Sequence, residues 1–208
     1  MRVRELAVAG AFEFVPPIFR DARGQVVTPF HGEGFSRVGG HRAFPVAQTI
    51  HSVSRRGVVR GVHFTVTPPG RTAKYVFCPH GRVLDIVVDL RLGSPTFGRY
   101  DAVPLGPDDC RAVYLPVGVG HAFVALRDGS VMSYLLSECF TPENERELSV
   151  FDPRLRLPIP SDIEPILSER DRKAPTLEQV MAAGELPEYA DCLRIEADIF
   201  GAYGNAAV

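Results

Sequence analysis

Short β-branched and aromatic runs, separated by Gly, Pro and Asp, fill the sequence from about residue 15 to residue 140 and show little 3.6-residue periodicity. Runs of this length and composition predict strands, and a long series of them predicts a sandwich or a barrel. A chain of 208 residues is long enough for one domain with a substantial core. We therefore predict one all-β domain over residues 1–208, with a β-barrel core over about residues 15–140.

The sequence beyond this core has a different, helical character. Thr141 precedes a proline and acidic residues, which is a helix-start pattern. Thr176 is followed three residues later by Gln179, the spacing of a capping box, and Gly184 is placed to end that helix. We predict short helices at both places, within a C-terminal helical segment over about residues 141–200.

Two connections in the core have the character of hairpin turns, each joining strands that would pair with each other. A Pro-His-Gly break separates AKYVFC from VLDIVVDLR, and Asp128-Gly129 separates YLPVGVGHAFVAL from SVMSYLLS. Asp-Gly between alternating segments is a strong hairpin signal. Counting outward from that turn pairs Phe123 with Tyr134 and predicts that His121 and Tyr134 lie on one sheet face. The two side chains then share a space, either as core residues with backbone partners or as members of a site.

Charge and hydropathy argue against two classes of partner. The 23 Lys and Arg residues are balanced by 25 Asp and Glu residues, so bulk charge does not favour binding to nucleic acid. No apolar stretch approaches the roughly 18 residues that span a bilayer. The four cysteines have no C-x-x-C spacing and the N-terminus lacks a secretory pattern, so we expect a reduced, cytoplasmic protein.

The stretch RRGVVRGVHFTVTPPGRTAKY places Arg60, His63 and Lys74 in a largely apolar, β-branched run. Each charge costs free energy to bury unless it is paired or hydrogen-bonded. Strict alternation would put Arg60 and His63 on opposite faces of a strand. Either Gly61 marks a bulge or Arg60 lies at the mouth of the strand, and periodicity does not choose between them.

Six histidines raise the question of a metal site, but their spacing argues against one. A metal site in a small barrel usually draws on two histidines one residue apart plus a carboxylate, whereas His63 is followed by Phe64 and Thr65. A catalytic site needs three or more protein ligands. No Gly-rich phosphate loop and no G-x-S-x-G motif is present. What remains is a metal-free acid–base set of histidine, tyrosine, lysine and carboxylates, or charges that only satisfy a core.

Several motifs together resemble the dTDP-4-dehydrorhamnose 3,5-epimerase family. They are, in order, IFRDARG, GVVRGVHF, TPPGRTAKY, GRVLDIVVDLRLGSPTFGRY, YLPVGVGHAF, VMSYLL and DIEPILSERDRKAPTL. The resemblance implies a cupin-type jelly roll, a homodimer, and no metal or organic cofactor. It also implies a dTDP-sugar substrate, epimerised at C5, C3 or both by proton removal and return next to the C4 ketone of a dTDP-4-keto-6-deoxyhexose.

The same resemblance assigns roles to residues. His63 resembles the general base, and Asp171 of SERD the carboxylate that pairs with it, although the residues alone favour an exposed acid in a charged loop. Lys74 resembles the cation near the C4 oxygen, and Tyr134 the acid on the opposite face of the sugar. His121 matches a further active-site histidine. The residues that resemble contacts to the nucleotide diphosphate are Arg60, Arg23, Phe19 and Gln48.

Three departures from the family pattern bear on the substrate. Thr49-Ile50 stands where Asp-Asn is expected, Thr28 where a glutamate is expected, and Phe140 where a tyrosine is usual. This pattern looks more like the branch that makes deoxysugars for antibiotics, whose members include enzymes that epimerise only C5 or only C3. The alternatives are a C3-only epimerase of the same family, a metal-dependent cupin oxygenase, and a sugar-nucleotide-binding protein without catalysis.

Overall fold

The computed structural model describes residues 1–38 and 43–202, in which strands predominate. The strands are β1 Arg2–Glu5, β2 Phe12–Val15, β3 Ile18–Asp21, β4 Gly24–Val27, β5 Gln48–Ser54, β6 Val59–Thr65, β7 Lys74–His80, β8 Val83–Asp89, β9 Tyr100–Leu105, β10 Ala112–Leu115, β11 Val119–Ala125, β12 Ser130–Leu136 and β13 Glu145–Glu147. The helices are α1 Gly32–Ser36, α2 Glu169–Arg172, α3 Leu177–Ala182 and α4 Tyr189–Ala202, with a 3-10 helix at Pro142–Asn144.

Two antiparallel sheets form the body of the molecule. The six-stranded sheet has the order β1-β2-β10-β7-β12-β5, and the five-stranded sheet has the order β13-β6-β11-β8-β9. Apolar side chains from both sheets meet in one buried cluster, which includes Val76 and Met132 from the first sheet and Val87 and Phe123 from the second. Strands β3 and β4 form a separate hairpin. The predicted all-β, cupin-type jelly roll is confirmed.

The outer faces of both sheets are covered by chain segments outside the barrel strands. Leu148, Leu155 and Val180 pack against the outer side of the five-stranded sheet in a second buried cluster. An aromatic cluster that includes Phe35 and Tyr114 lies on the six-stranded sheet, where α1 and α4 cover it. Within the described residues, no helix is long and apolar enough to cross a membrane.

Both predicted hairpins are wrong, because each turn crosses from one sheet to the other. Strand β7 belongs to the six-stranded sheet and β8 to the five-stranded sheet, and the same holds for β12 and β11. The Ser130 hydroxyl accepts a bond from the Arg82 amide at 3.1 Å and donates to the Arg82 carbonyl, which ties the two crossings together. Alternation fixes the face on which a side chain lies, but it does not select the partner strand.

The C-terminal part differs from the prediction in one segment and agrees in another. TPENEREL forms only the three-residue 3-10 helix, and the Thr141 side chain makes no capping bond. The residues that follow pair with β6 as β13, so their backbone groups bond to a strand and not within a helix. The sheets therefore extend beyond residues 15–140, from β1 to β13. The capping box of Thr176 and Gln179 is confirmed in α3, with Gly184 at a φ of +68° just beyond it.

Candidate active site

A cavity of about 330 Å³ lies between the two sheets, and both sheets contribute to its lining. The five-stranded sheet supplies Arg60, His63, His121, Phe123 and Glu145. The six-stranded sheet supplies Ile50, Ser52, Lys74, Tyr134 and Leu136, and the connecting segments supply Thr72 and Phe140. Five of the nine residues predicted for the site line this cavity: Arg60, His63, Lys74, His121 and Tyr134.

A bulge in β6 brings Arg60 and His63 to the same cavity. His63 lies opposite His121 and Arg60 lies opposite Phe123, so three steps along β6 face two steps along β11. Gly61, inside the bulge, has a φ of +107°, and a Cβ atom there would clash with the His121 carbonyl oxygen. The bulge alternative is therefore correct, and it depends on a glycine.

His63 forms a close pair with Asp171, which the residues alone did not predict to be buried. The His63 Nε2 and Asp171 Oδ1 atoms are 2.6 Å apart, and the Asp171 side chain is only 4% exposed. Asp171 lies in α2, whose N-cap Ser168 donates its hydroxyl to Asp171 Oδ2 at 2.8 Å. Burial acts to raise the pKa of Asp171, but the hydrogen bonds and charge of His63 and the Ser168 hydroxyl outweigh it and lower the pKa.

This pair determines which nitrogen of His63 is basic. An ionised carboxylate only accepts hydrogen bonds, so Nε2 of the neutral ring carries the proton and Nδ1 keeps its lone pair. The His63 side chain is 36% exposed and lines the cavity, so a ligand in the cavity has access to the ring. His63 therefore has the environment of a general base.

A second histidine–carboxylate pair lies beside the first. His121 Nε2 and Asp85 Oδ1 are 2.6 Å apart, and both side chains are buried. The other carboxylate oxygen, Asp85 Oδ2, is buried without a hydrogen-bond partner. Asp85 was missed at the sequence level, although an acid inside the apolar run VLDIVVD requires a partner and could have been recognised by that requirement.

Lys74 is held by a buried carboxylate that was also missed. Lys74 Nζ and Glu145 Oε2 are 3.8 Å apart, and Thr65 donates its hydroxyl to Glu145 Oε1 at 2.6 Å. Glu145 was missed because its segment was predicted to be helical. Within residues 1–38 and 43–202, no group of three or more His, Cys, Asp and Glu side chains is arranged to hold a metal ion.

Tyr134 faces His63 and His121 from the opposing sheet. Its ring and that of His121 are 5.8 Å apart between centroids, at an angle of 77°. The predicted shared space is therefore correct, although the two strands face each other across the barrel and do not pair. Burial, and after it the negative charge of Asp85, raises the pKa of Tyr134, so the hydroxyl keeps its proton at neutral pH.

The remaining predicted residues lie outside the cavity lining of the single chain. The Gln48 side-chain oxygen accepts a bond from the Phe140 amide at 2.6 Å, which places it next to a lining residue. Phe19 is 69% exposed on the β3–β4 hairpin. The Arg23 side chain is 87% exposed between these two strands and is paired with Asp21.

Fold and cavity together define the class of protein: a jelly-roll protein whose cavity has a histidine–carboxylate pair on one sheet and a tyrosine on the other, residue types that can transfer protons. The sequence profile of the family described as dTDP-4-dehydrorhamnose 3,5-epimerase matches residues 5–179. The chain belongs to this family, and it is an epimerase.

Individual relatives agree with this assignment. A dTDP-4-dehydrorhamnose 3,5-epimerase from Mycolicibacterium smegmatis is 47% identical over 192 residues, which cover 92% of this chain and 94% of the relative. The solved 3'-monoepimerase from Streptomyces bikiniensis in complex with dTDP-quinovose has a TM-score of 0.87 and 44% identity, over 92% of this chain and 96% of that one. A 4-keto-6-deoxy sugar epimerase from the novobiocin biosynthetic gene cluster of Streptomyces spheroides has a TM-score of 0.88 and 43% identity. The match covers 92% of this chain and 95% of that one.

The close approach at Gly61 gives a first testable prediction. We expect Gly61→Ala to lower the free energy of unfolding by more than the roughly 1–3 kcal/mol of backbone strain alone, because the new methyl group must displace the strand that carries His121. Gly93→Ala is the matched control, since Gly93 also has a positive φ, +80°, but open space at its Cβ position. Urea unfolding of both variants measures the difference, and equal losses would show that the approach to His121 is not a constraint.

Proposed function

We propose that the protein inverts C5, C3 or both in a dTDP-4-keto-6-deoxyhexose, without a metal or organic cofactor, in the biosynthesis of an antibiotic deoxysugar. The observation that carries the proposal is the placement of His63 and Tyr134 on opposing sheets of one cavity. Inversion requires a base on one face of the ring and a proton donor on the other. The family relatives favour this function over a metal-dependent oxygenase.

His63 removes the proton next to the C4 ketone. The Asp171 carboxylate fixes the tautomer of the ring and lies beside the imidazolium that forms, so the base is oriented for the reaction. Asp171 keeps its charge at neutral pH because its pKa is lowered in this environment. A proton transfer of this kind typically contributes about 10²–10⁴-fold to the rate.

Lys74 stabilises the enolate that results. Negative charge develops on the C4 oxygen as the proton leaves, and a cation beside that oxygen lowers the energy of the transition state. The buried Glu145 carboxylate, 3.8 Å from Lys74 Nζ, holds the Lys74 side chain at the cavity wall. His121, oriented by Asp85, lines the same cavity from the opposing five-stranded sheet.

Tyr134 returns a proton to the opposite face of the carbon. The O–H bond of Tyr134 breaks, a C–H bond forms, and the negative charge moves from the enolate to the phenolate oxygen. The raised pKa of Tyr134 ensures that the hydroxyl holds a proton when the enolate forms.

The functional unit in this proposal is a homodimer located in the cytoplasm. Arg60 and Gln48 contact the nucleotide diphosphate, and the β3–β4 hairpin of a second copy adds Phe19 and Arg23 to the same site. Both residues are exposed in the single chain and lie outside its cavity lining, which supports a role toward another chain. An exposed apolar side chain such as Phe19 favours burial in an interface.

Light scattering tests the dimer. We expect a mass twice that of the 22.8 kDa chain, and we expect Arg23→Ala to weaken dTDP binding while leaving the dimer intact. Arg2→Ala, a change of an exposed arginine on β1, is the control. A monomer that is fully active at nanomolar concentration would contradict the proposal.

A pair of variants tests the roles of the base and the acid. We expect His63→Ala to abolish deuterium incorporation at every position and to leave dTDP binding nearly intact, because the base is needed for the first proton removal. We expect Tyr134→Phe to lose most of the net inversion. The sugar proton that His63 removes should still exchange for deuterium from the solvent. NMR of the sugar measures both, and retained exchange in the first variant or full inversion by the second would remove that residue from its role.

The lining of the cavity suggests which carbon is inverted. Ile50 pairs across the sheet with Tyr134 and lines the cavity, as does Phe140, so two positions where polar residues are expected are apolar. Thr28 is exposed and outside the lining, so it does not contribute to this argument. An apolar side chain leaves a buried hydroxyl unpaired at a cost of roughly 1–3 kcal/mol, which favours a sugar that lacks a 2- or 3-hydroxyl.

We therefore expect C5 inversion to be the main activity, with C3 exchange slower or absent. Incubation with a dTDP-4-keto-6-deoxyhexose in deuterated water, with time points taken before slow non-enzymatic exchange, reports the order of labelling. Label that appears first or only at C3 would favour the C3-only alternative, and equal early labelling would favour a double epimerase.

A further inference from the structure

One hydroxyl group in the cavity lacks a hydrogen bond of good geometry. Within residues 1–38 and 43–202, Ser52 Oγ and Asp85 Oδ2 are the two buried side-chain polar atoms without such a bond, although the Tyr134 hydroxyl lies near Ser52. Ser52 is also a cavity-lining residue. A buried hydroxyl without a partner costs about 1–3 kcal/mol, so its presence at a reaction site calls for a function.

Ser52 lies next to Tyr134 on the same face of the six-stranded sheet. Met132 pairs with Ser52 and Tyr134 pairs with Ile50, so Ser52 and Tyr134 are diagonal neighbours on adjacent strands. Diagonal positions are about 7–8 Å apart at the backbone, within reach of a tyrosine side chain. The hydroxyl of Ser52 and the charge of Arg60 are both close enough to lower the pKa of Tyr134, against the larger effect of burial.

The proton transfer from Tyr134 creates a need for such groups. When Tyr134 protonates the enolate, it becomes a negative phenolate. Burial and the negative charge of the nearby Asp85 both disfavour this phenolate. Arg60 supplies compensating charge, but its Nε atom is already directed to Ser54 Oγ at 3.3 Å. The hydroxyl of Ser52 is a neutral donor that is free to turn toward the phenolate oxygen, and catalytic hydrogen bonds often tighten only as the reaction proceeds.

We propose that Ser52 is a positioning residue for Tyr134, whose hydroxyl donates a hydrogen bond to the phenolate oxygen formed when Tyr134 protonates the substrate. The inference rests on the proposed function, because it presupposes that Tyr134 is the acid. No other co-reactant is needed. The proton moves from oxygen to carbon and the charge passes to the phenolate. After the product leaves, His63 releases the proton it removed to solvent and Tyr134 takes one from solvent.

The test compares two rates in deuterated water: net inversion of the sugar, and exchange of the sugar proton that His63 removes. We expect Ser52→Ala to slow inversion about 10- to 100-fold, the range for a hydrogen bond to a charged group, while washout of the proton removed by His63 stays within about twofold of the wild type. Ser52→Thr, which keeps the hydroxyl, should recover most of the inversion rate. Ser133→Ala is the matched control, since this buried serine on the adjacent strand bonds to His51 at 2.8 Å and lies outside the cavity lining.

A double-variant cycle separates this role from a structural one. If Ser52 acts through the Tyr134 hydroxyl, Ser52→Ala should not slow the residual inversion of Tyr134→Phe any further. A further loss in that background, an equal loss of inversion and exchange in Ser52→Ala alone, or inversion within twofold of wild type would each overturn the inference. Wild-type protein that neither exchanges nor inverts would instead overturn the proposed function.

Discussion

The contact between Asp171 and the bulged strand β6 is the interaction on which the site depends. One carboxylate pairs with His63 at 2.6 Å and is close enough to the backbone amide of Gly61 for that amide to help lower its pKa, so it is next to both His63 and the bulge. The bulge in turn brings Arg60 into the same cavity as His63. Ser168 caps α2 and directs Asp171 toward the barrel. His63, the bulge in β6 and the C-terminal segment therefore form one unit.

The interior of the barrel tolerates three carboxylates because each of them has a basic partner. Asp171 faces His63, Asp85 faces His121, and Glu145 faces Lys74. Unpaired, any of these groups would cost several kcal/mol in an apolar interior. Paired, they create a cavity wall in which hydrogen-bond donors and cations are fixed before the substrate arrives, and such preorganised groups act strongly where water is excluded.

The lining around Tyr134 has a different character. Ile50, Leu136 and Phe140 surround the position of Tyr134 with apolar groups. Burial among these groups raises the pKa of Tyr134, so its hydroxyl keeps its proton at neutral pH. The relatives include 3,5-epimerases and 3-epimerases, and the apolar lining around Tyr134 is the part of the site in which the chain departs from the expected pattern.

The sequence by itself determined the strands, the all-β class, the capping box of α3 and, through the resemblance, the presence of His63, Lys74 and Tyr134 in one site. It did not determine which strands pair, because the alternation around Asp128-Gly129 is the same whether the chain turns within a sheet or crosses to the facing one. Nor did it determine the partners of the charges: Glu145 was assigned to a helix, and Asp85 was passed over. Alternation and capping are properties of a short segment, whereas the pairing of His63 with Asp171 joins residues 108 positions apart. Only the closed barrel, with its C-terminal segment packed against β6, brings such distant groups within hydrogen-bond distance and makes their burial favourable.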